Sequence, residues 1–137
     1  MHIIFLHVND VPAILNSYRM IFESISDDDA YPNTYEIHSA KDGIDAIEKI
    51  ENHDFNLVIS DIKMPKMDGI ELLKIIVEEN PNLPVILYSA FGTKEYNNKL
   101  VNEFGAYANF EIPPEIEDLI ELVDEAAAWH FEQVKIF

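Results

Sequence analysis

The sequence predicts an α/β fold: a five-stranded parallel sheet in the order 2-1-3-4-5, doubly wound, with helices on both faces. Short apolar runs and amphipathic helical stretches alternate five times along 137 residues, the pattern of repeated strand–helix–strand units. The second run alternates apolar with polar residues, whereas the first, third and fourth are apolar throughout. The alternating run therefore belongs at a sheet edge and the others inside. Hydrophobic residues make up 48% of the chain, with no Gly/Ser linker or internal repeat, so residues 1–137 read as one domain with its own core.

Ile3–Val8 is the first strand, interrupted only by His7, which reads as a core histidine. Asn9, Asp10 and Pro12 are helix-start residues, with Asn9 the candidate N-cap. The helix they open carries Ile14, Tyr18, Ile21 or Phe22, and Ile25 on one face, and ends in the acidic loop Asp27-Asp28-Asp29 and Pro32. Thr34–His38 is the alternating strand, with Tyr35 and Ile37 on one side. Ser39 and Asp42 resemble a capping box for a second helix that buries Ile44, Ile47 and Ile50. Phe55–Ser60 is the third strand. Asp68 caps a third helix, with Glu71 in the box position and Ile70, Leu73, Ile76 and Val77 to bury. Pro84–Ser89 is the fourth strand. Thr93–Phe104 is a thinner helix held by Tyr96, Leu100 and Phe104, and Gly105 closes it. Ala106–Ile112 is the fifth strand, Pro113-Pro114 breaks the chain, and Glu115–His130 is the last helix. On that helix Ile116, Leu119, Ile120, Val123 and Ala127 form a buried stripe. Leu122, Ala126 and Trp129 form a second apolar line, a candidate face for a homodimer or a target protein.

Nine Lys and Arg stand against 26 Asp and Glu, a formal charge of −17. Nonspecific nucleic-acid binding needs clustered cations and is excluded, and an anionic membrane surface is disfavoured for the same reason. The absence of cysteine removes disulfides, thiol catalysis and Cys-type zinc sites. No apolar run is long enough to span a bilayer and no signal-peptide pattern surrounds Ile3–Val8, so a cytoplasmic protein is expected. His2, His38, His53 and His130 lack metal-ligand spacing and read as surface residues.

In open α/β sheets, function collects beyond the carboxyl ends of the strands. Those ends carry Asn9 and Asp10, then Asp61, then Ser89, then Glu111 and Ile112. The first and third strands are neighbours in the expected order, so Asp10 and Asp61 meet at the switch point. Two carboxylates and an amide in one crevice, with no thiol, select a hard cation such as Mg²⁺ that keeps several waters. A carboxylate beside such an ion can attack phosphorus to give an acyl phosphate, with Ser89 donating to the phosphoryl oxygens.

The stretch Leu57-Val58-Ile59-Ser60-Asp61-Ile62-Lys63-Met64-Pro65-Lys66-Met67-Asp68-Gly69 resembles the receiver domain of bacterial two-component response regulators, the CheY-like proteins. Val8-Asn9-Asp10-Val11-Pro12, Ala40 with Gly43 to Ala46, Tyr88-Ser89-Ala90 and Gly105-Ala106-Tyr107 extend the resemblance over nearly the whole chain. It implies that Asp61 is the phosphoacceptor and that Ser89 follows the phosphoryl group. It implies that Asp10, Asp61 and the backbone carbonyl of Lys63 bind Mg²⁺, with Asn9 acting through a metal-bound water. It implies a phosphoryl donor that is a sensor histidine kinase or a histidine phosphotransfer protein, and an output protein reached by contact. With the chain ending soon after the last helix, a stand-alone receiver without an effector domain is expected, a signalling protein and not an ordinary enzyme.

Two positions depart from the family pattern. Asn9 stands where a first acid is usual, which removes one negative charge near the ion. Ile112 stands where the family has a lysine before proline, and the family's aromatic switch position falls on Asn109, with Phe110 beside it. Lys63, Lys66 and Lys94 are the cations placed to substitute. These departures motivate the alternative of a degenerate receiver that binds partners without phosphorylation. A haloacid-dehalogenase-like phosphatase needs a second Asp where Lys63 stands, and a flavin carrier needs a hydroxyl- or Gly-rich loop where Asn9-Asp10-Val11-Pro12 stands.

Overall fold

The computed structural model describes residues 1–90 and 94–135. Five strands and five helices alternate: β1 (His2–Val8), α1 (Pro12–Ser26), β2 (Thr34–Ala40), α2 (Gly43–Asn52), β3 (Leu57–Asp61), α3 (Gly69–Glu79), β4 (Val85–Ser89), α4 (Lys94–Asn102), β5 (Ala108–Glu111) and α5 (Ile116–Val134). The strands form one sheet in the order β2-β1-β3-β4-β5, and every pairing is parallel, as the sequence predicts. Thr93, and the side chains of Lys94 and Tyr96, lie outside the described residues.

Strand parity divides the core. Ile3 and Phe5 of β1, Leu57 and Ile59 of β3, and Ile86 and Tyr88 of β4 face α1 and α5, against Tyr18, Phe22, Leu119, Val123 and Ala126. Leu6, Val8, Val58, Val85 and Leu87 face the other layer, against Ala46, Leu72, Leu73, Ile76 and Leu100. Each fully buried aliphatic or aromatic side chain contributes about 1.5–3 kcal/mol, so both layers are needed to hold the inner strands. At the edge, β2 keeps Tyr35 and Ile37 inside and Glu36 exposed.

Several local expectations are corrected. β2 runs on to Ala40, so Ser39 is a strand residue bonded to Arg19 Nη2 at 2.9 Å. Asp42 caps α2 by accepting from Asp45 N–H. α2 buries Gly43 and Ala46, with Ile47 and Ile50 half-buried; Ile44 is exposed, because a short helix laid on the sheet edge covers a narrow stripe. Val77 and Ile116 are likewise exposed. In α5 the second apolar line is not a separate face: Ala126 is fully buried, Leu122 packs on the core, and Trp129 sits at the edge, 6.0 Å from the Tyr107 ring. Ala126 and Leu122 thus belong to the buried face of α5, while Trp129 is left exposed beyond its edge. Gly105 closes α4 with φ +86°, a left-handed conformation that glycine adopts without strain. Among the described residues no helix is long and apolar enough to cross a membrane.

Candidate functional site

Register places the site. His7 pairs with Ile59, Val8 with Ser60, Asp61 with Tyr88, and Tyr88 with Phe110. Asn9, one step beyond β1, thus falls beside Asp61, and Asn9, Asp61, Tyr88 and Phe110 make a row across four neighbouring strands. Asp10 follows on the exposed side of the same turn.

Asp61 is half-buried at the end of β3. Burial, then the negative charge of Asp10, push its carboxyl above the usual carboxylate range; the Lys63 N–H, 3.3 Å from Oδ1, pulls the other way. An open crevice bordered by Asp10, Lys63, Pro65 and Asp68 lies on one side of it. A tighter cleft of about 110 Å³ lies on the other, lined by Asp61, Lys63, Ser89, Ala90 and Ile112. Ile112 therefore borders the same cleft as the serine, and its own N–H donates to the Ser89 carbonyl at 3.0 Å. Lys63 borders both spaces, whereas Lys66 is engaged with Asp42 at 3.8 Å.

The loop below the site is shaped by close approach. Asp68 caps α3 through Glu71 N–H at 2.8 Å. A Cβ at Gly69 would stand 2.3 Å from the Asp61 carbonyl oxygen, so only glycine lets α3 start this close to β3. Lys66 holds φ +68°, a sparsely populated conformation for a residue with a side chain.

Asn9 is not the N-cap of α1. Val11 holds that position without a side-chain bond, and Pro12 supplies the first helical residue. Asn9 is fully buried instead, its Oδ1 accepting from Val11 N–H at 2.8 Å. That bond fixes the amide orientation, because an N–H must meet the oxygen. Its Nδ2 then donates to Tyr88 Oη at 2.7 Å and faces Asp61 Oδ2 at 3.5 Å. Tyr88 Oη is also 2.7 Å from His7 Nε2. Burial pushes the His7 pKa down to about 3, so the ring is neutral. His7 Nδ1 and Tyr18 Oη are buried without a partner among the described residues, and the two rings stack at 4.2 Å. Sequence reasoning singled out Asn9 and His7 separately and missed the tyrosine that joins them. The signal was present: residues 7, 9, 61, 88 and 110 share strand parity.

Asp10 borders the open crevice and Asp61 the tighter cleft, and the negative charge of Asp10 acts on the Asp61 carboxyl, a repulsion that a cation between them would relieve. Two carboxylates and a backbone carbonyl suit a hard ion that keeps most of its waters. Among the described residues no group of three or more His, Cys, Asp or Glu is arranged to hold a metal ion.

A family model for the response regulator receiver domain matches residues 5–124. The chain belongs to that family. Among curated relatives, the protein-glutamate methylesterase/protein-glutamine glutaminase of Lawsonia intracellularis is 52% identical over 69 residues, 49% of this chain and 19% of that protein. The DNA-binding transcriptional regulator NtrC of Proteus hauseri is 34% identical over 91 residues, 65% of this chain and 19% of that protein. The receiver chain thus spans about a fifth of the length of these relatives. A crystal structure of a CheY-like response regulator receiver domain protein from Methanospirillum hungatei is similar at 30% identity. Its TM-score is 0.82, covering 97% of this chain and 99% of that one. Receiver membership accounts for the order of the sheet and for the acidic strand ends meeting at its switch point.

Proposed function

We propose that this receiver accepts a phosphoryl group on Asp61 from a sensor histidine kinase or histidine phosphotransfer protein in the cytoplasm, and passes the signal by contact with an output protein. The observation that carries the reading is the placement of Asp61 between Asp10 on one side and Ser89 on the other, at the end of an inner strand. In the transfer, an ionised Asp61 oxygen forms a bond to phosphorus while the P–N bond of the phosphohistidine breaks. The electron pair of that bond stays on the imidazole nitrogen. Asp10, Asp61 and the Lys63 carbonyl would hold Mg²⁺, which when bound offsets the negative charge gathering at the phosphoryl group. Ser89 and Lys63 border the space that the phosphoryl oxygens would enter. Asn9, with Oδ1 taken by Val11, offers an N–H to this crevice, which suits a carboxylate or phosphoryl oxygen. The protein is a signalling unit over residues 1–137 and not an enzyme acting on an external substrate.

A second reading rests on Ile112. An apolar side chain in the cleft beside Ser89 favours a degenerate receiver that binds its partner without phosphorylation. Amide chemical shifts on addition of beryllofluoride and Mg²⁺ separate the two. Shifts at Asp61, Lys63 and Ser89 that vanish in Asp61→Asn are expected; silence at all three would leave the adaptor.

A further inference from the structure

We propose that Tyr88 is a positioning residue for Asp61 and the first link of its readout: it sets how closely the Asn9 amide approaches the phosphoacceptor carboxylate and carries a change of charge there to His7, Phe110 and Tyr18. The inference deepens the phosphoacceptor reading and rests on it for the role of Asp61.

The geometry is continuous. Asn9 has all its polar atoms assigned: Oδ1 to Val11 N–H at 2.8 Å, one amide hydrogen to Tyr88 Oη at 2.7 Å, the other toward Asp61 Oδ2 at 3.5 Å. The short bond is to the tyrosine and the long one to the carboxylate, so the amide is held back from Asp61. A change in charge or position at the carboxylate alters that pull, and the buried amide passes it to Oη. Tyr88 Oη takes the Asn9 hydrogen and makes a second bond with His7 Nε2 at 2.7 Å, its direction set by the His7 tautomer. In a buried, low-dielectric setting such bonds polarise one another.

The Tyr88 ring makes the mechanical connection. It is fully buried, stacks on Phe110 of β5 at 5.2 Å and 19°, and lies 5.9 Å from the Tyr18 ring of α1. Tyr18 in turn stacks on His7. One phenol thus touches the strand that leads into Ile112 and the helix that follows Asp10. The two orphaned polar atoms, His7 Nδ1 and Tyr18 Oη, flank this stack and give the network room for a second arrangement of its hydrogen bonds. The usual lysine and switch aromatic are replaced by Ile112 and by Asn109, whose Nδ2 is spent on the Asn97 carbonyl at 2.9 Å. The Asn9–Tyr88–Phe110 row supplies a route that needs neither.

The test is a pair of nuclear magnetic resonance measurements on the whole chain. The His7 ring nitrogen shifts are compared between wild type and Asp61→Asn, and again with Tyr88→Phe in both. Beryllofluoride with Mg²⁺ is then added to wild type and Tyr88→Phe. The expected result is a His7 shift change on Asp61→Asn that is lost with Tyr88→Phe. Beryllofluoride shifts at Phe110 and Tyr18 should likewise be lost while those at Asp61, Lys63 and Ser89 persist. If Tyr88→Phe does not fold, Asn9→Ala cuts the same link on the other side of Oη, with the same expectation. An equal His7 change with and without the Tyr88 hydroxyl overturns the inference. If beryllofluoride leaves Asp61, Lys63 and Ser89 unmoved in wild type, the phosphoacceptor reading fails, while the His7 comparison still decides the network.

Discussion

Replacing Ile112 with lysine puts the family's missing cation into the cleft that Asp61, Lys63 and Ser89 already line. Ile112 is half-buried and packs on the α1/α5 side of the core, so the substitution forfeits roughly half of a full aliphatic burial, about 1 kcal/mol. The lysine stem recovers part of that by lying along the same apolar surface. In return, the ammonium gains a charged hydrogen bond to the phosphoryl group in the activated state, worth about 1.5–3 kcal/mol. Because the bond exists mainly when the phosphoryl group is present, it changes the ratio of active to inactive populations by roughly 10–150-fold. The assay compares beryllofluoride-induced shifts, or partner affinity with and without beryllofluoride, in wild type and Ile112→Lys. The expected outcome is a larger response in the variant, with a melting temperature close to that of wild type. A large wild-type response that Ile112→Lys leaves unchanged would refute the reasoning, and would mean that another cation, Lys63 foremost, already fills the role.

Three further outcomes follow from the site. The carboxyl of Asp61 is raised in the folded state by burial and by Asp10. Its stabilising contribution is therefore full below the unfolded-state pKa and is lost as pH rises through the folded-state value. At neutral pH without a cation Asp61 destabilises the fold, so Asp61→Asn should melt higher at pH 7; an equal or lower melting temperature contradicts this. Mg²⁺ at ten times its dissociation constant should stabilise wild type by about 1.4 kcal/mol. In a domain of this size that is a rise of roughly 5 °C. Asp10→Ala should abolish the rise, and a rise that survives Asp10→Ala would place the ion elsewhere. Gly69→Ala should cost about 1–3 kcal/mol in urea unfolding, because its Cβ would stand 2.3 Å from the Asp61 carbonyl oxygen; a neutral result would show that α3 can draw back from β3 freely.

Strand order was legible because it depends on simple contrasts: β2 alternates, β1, β3 and β4 do not, and each helix carries a stripe. That order alone places Asp10 and Asp61 at the ends of neighbouring strands. Boundaries and caps were less legible, because tertiary packing competes with local signals. Ser39 has the chemistry of a cap but is drawn into β2 by pairing opposite His7 and by Arg19. Asn9 also has cap chemistry, yet a buried tyrosine hydroxyl on a strand not adjacent to β1 claims its amide. Ile44 looks like a core residue by composition and is left in solvent, since whether a helical position is covered depends on how far the neighbouring sheet extends. The Tyr88 hydroxyl escaped notice because its strand reads as continuous apolar sequence. Period-2 parity shows which residues share a face, but not which of them bond across it.

The central claim, that Asp61 accepts a phosphoryl group, is tested most directly by incubating the protein with acetyl phosphate and Mg²⁺ and mapping the adduct by peptide mass. The expected result is a single phosphoryl group on the peptide containing Asp61, absent in Asp61→Asn and absent when Mg²⁺ is chelated. An unmodified wild-type protein, or a label that persists in Asp61→Asn, would contradict it.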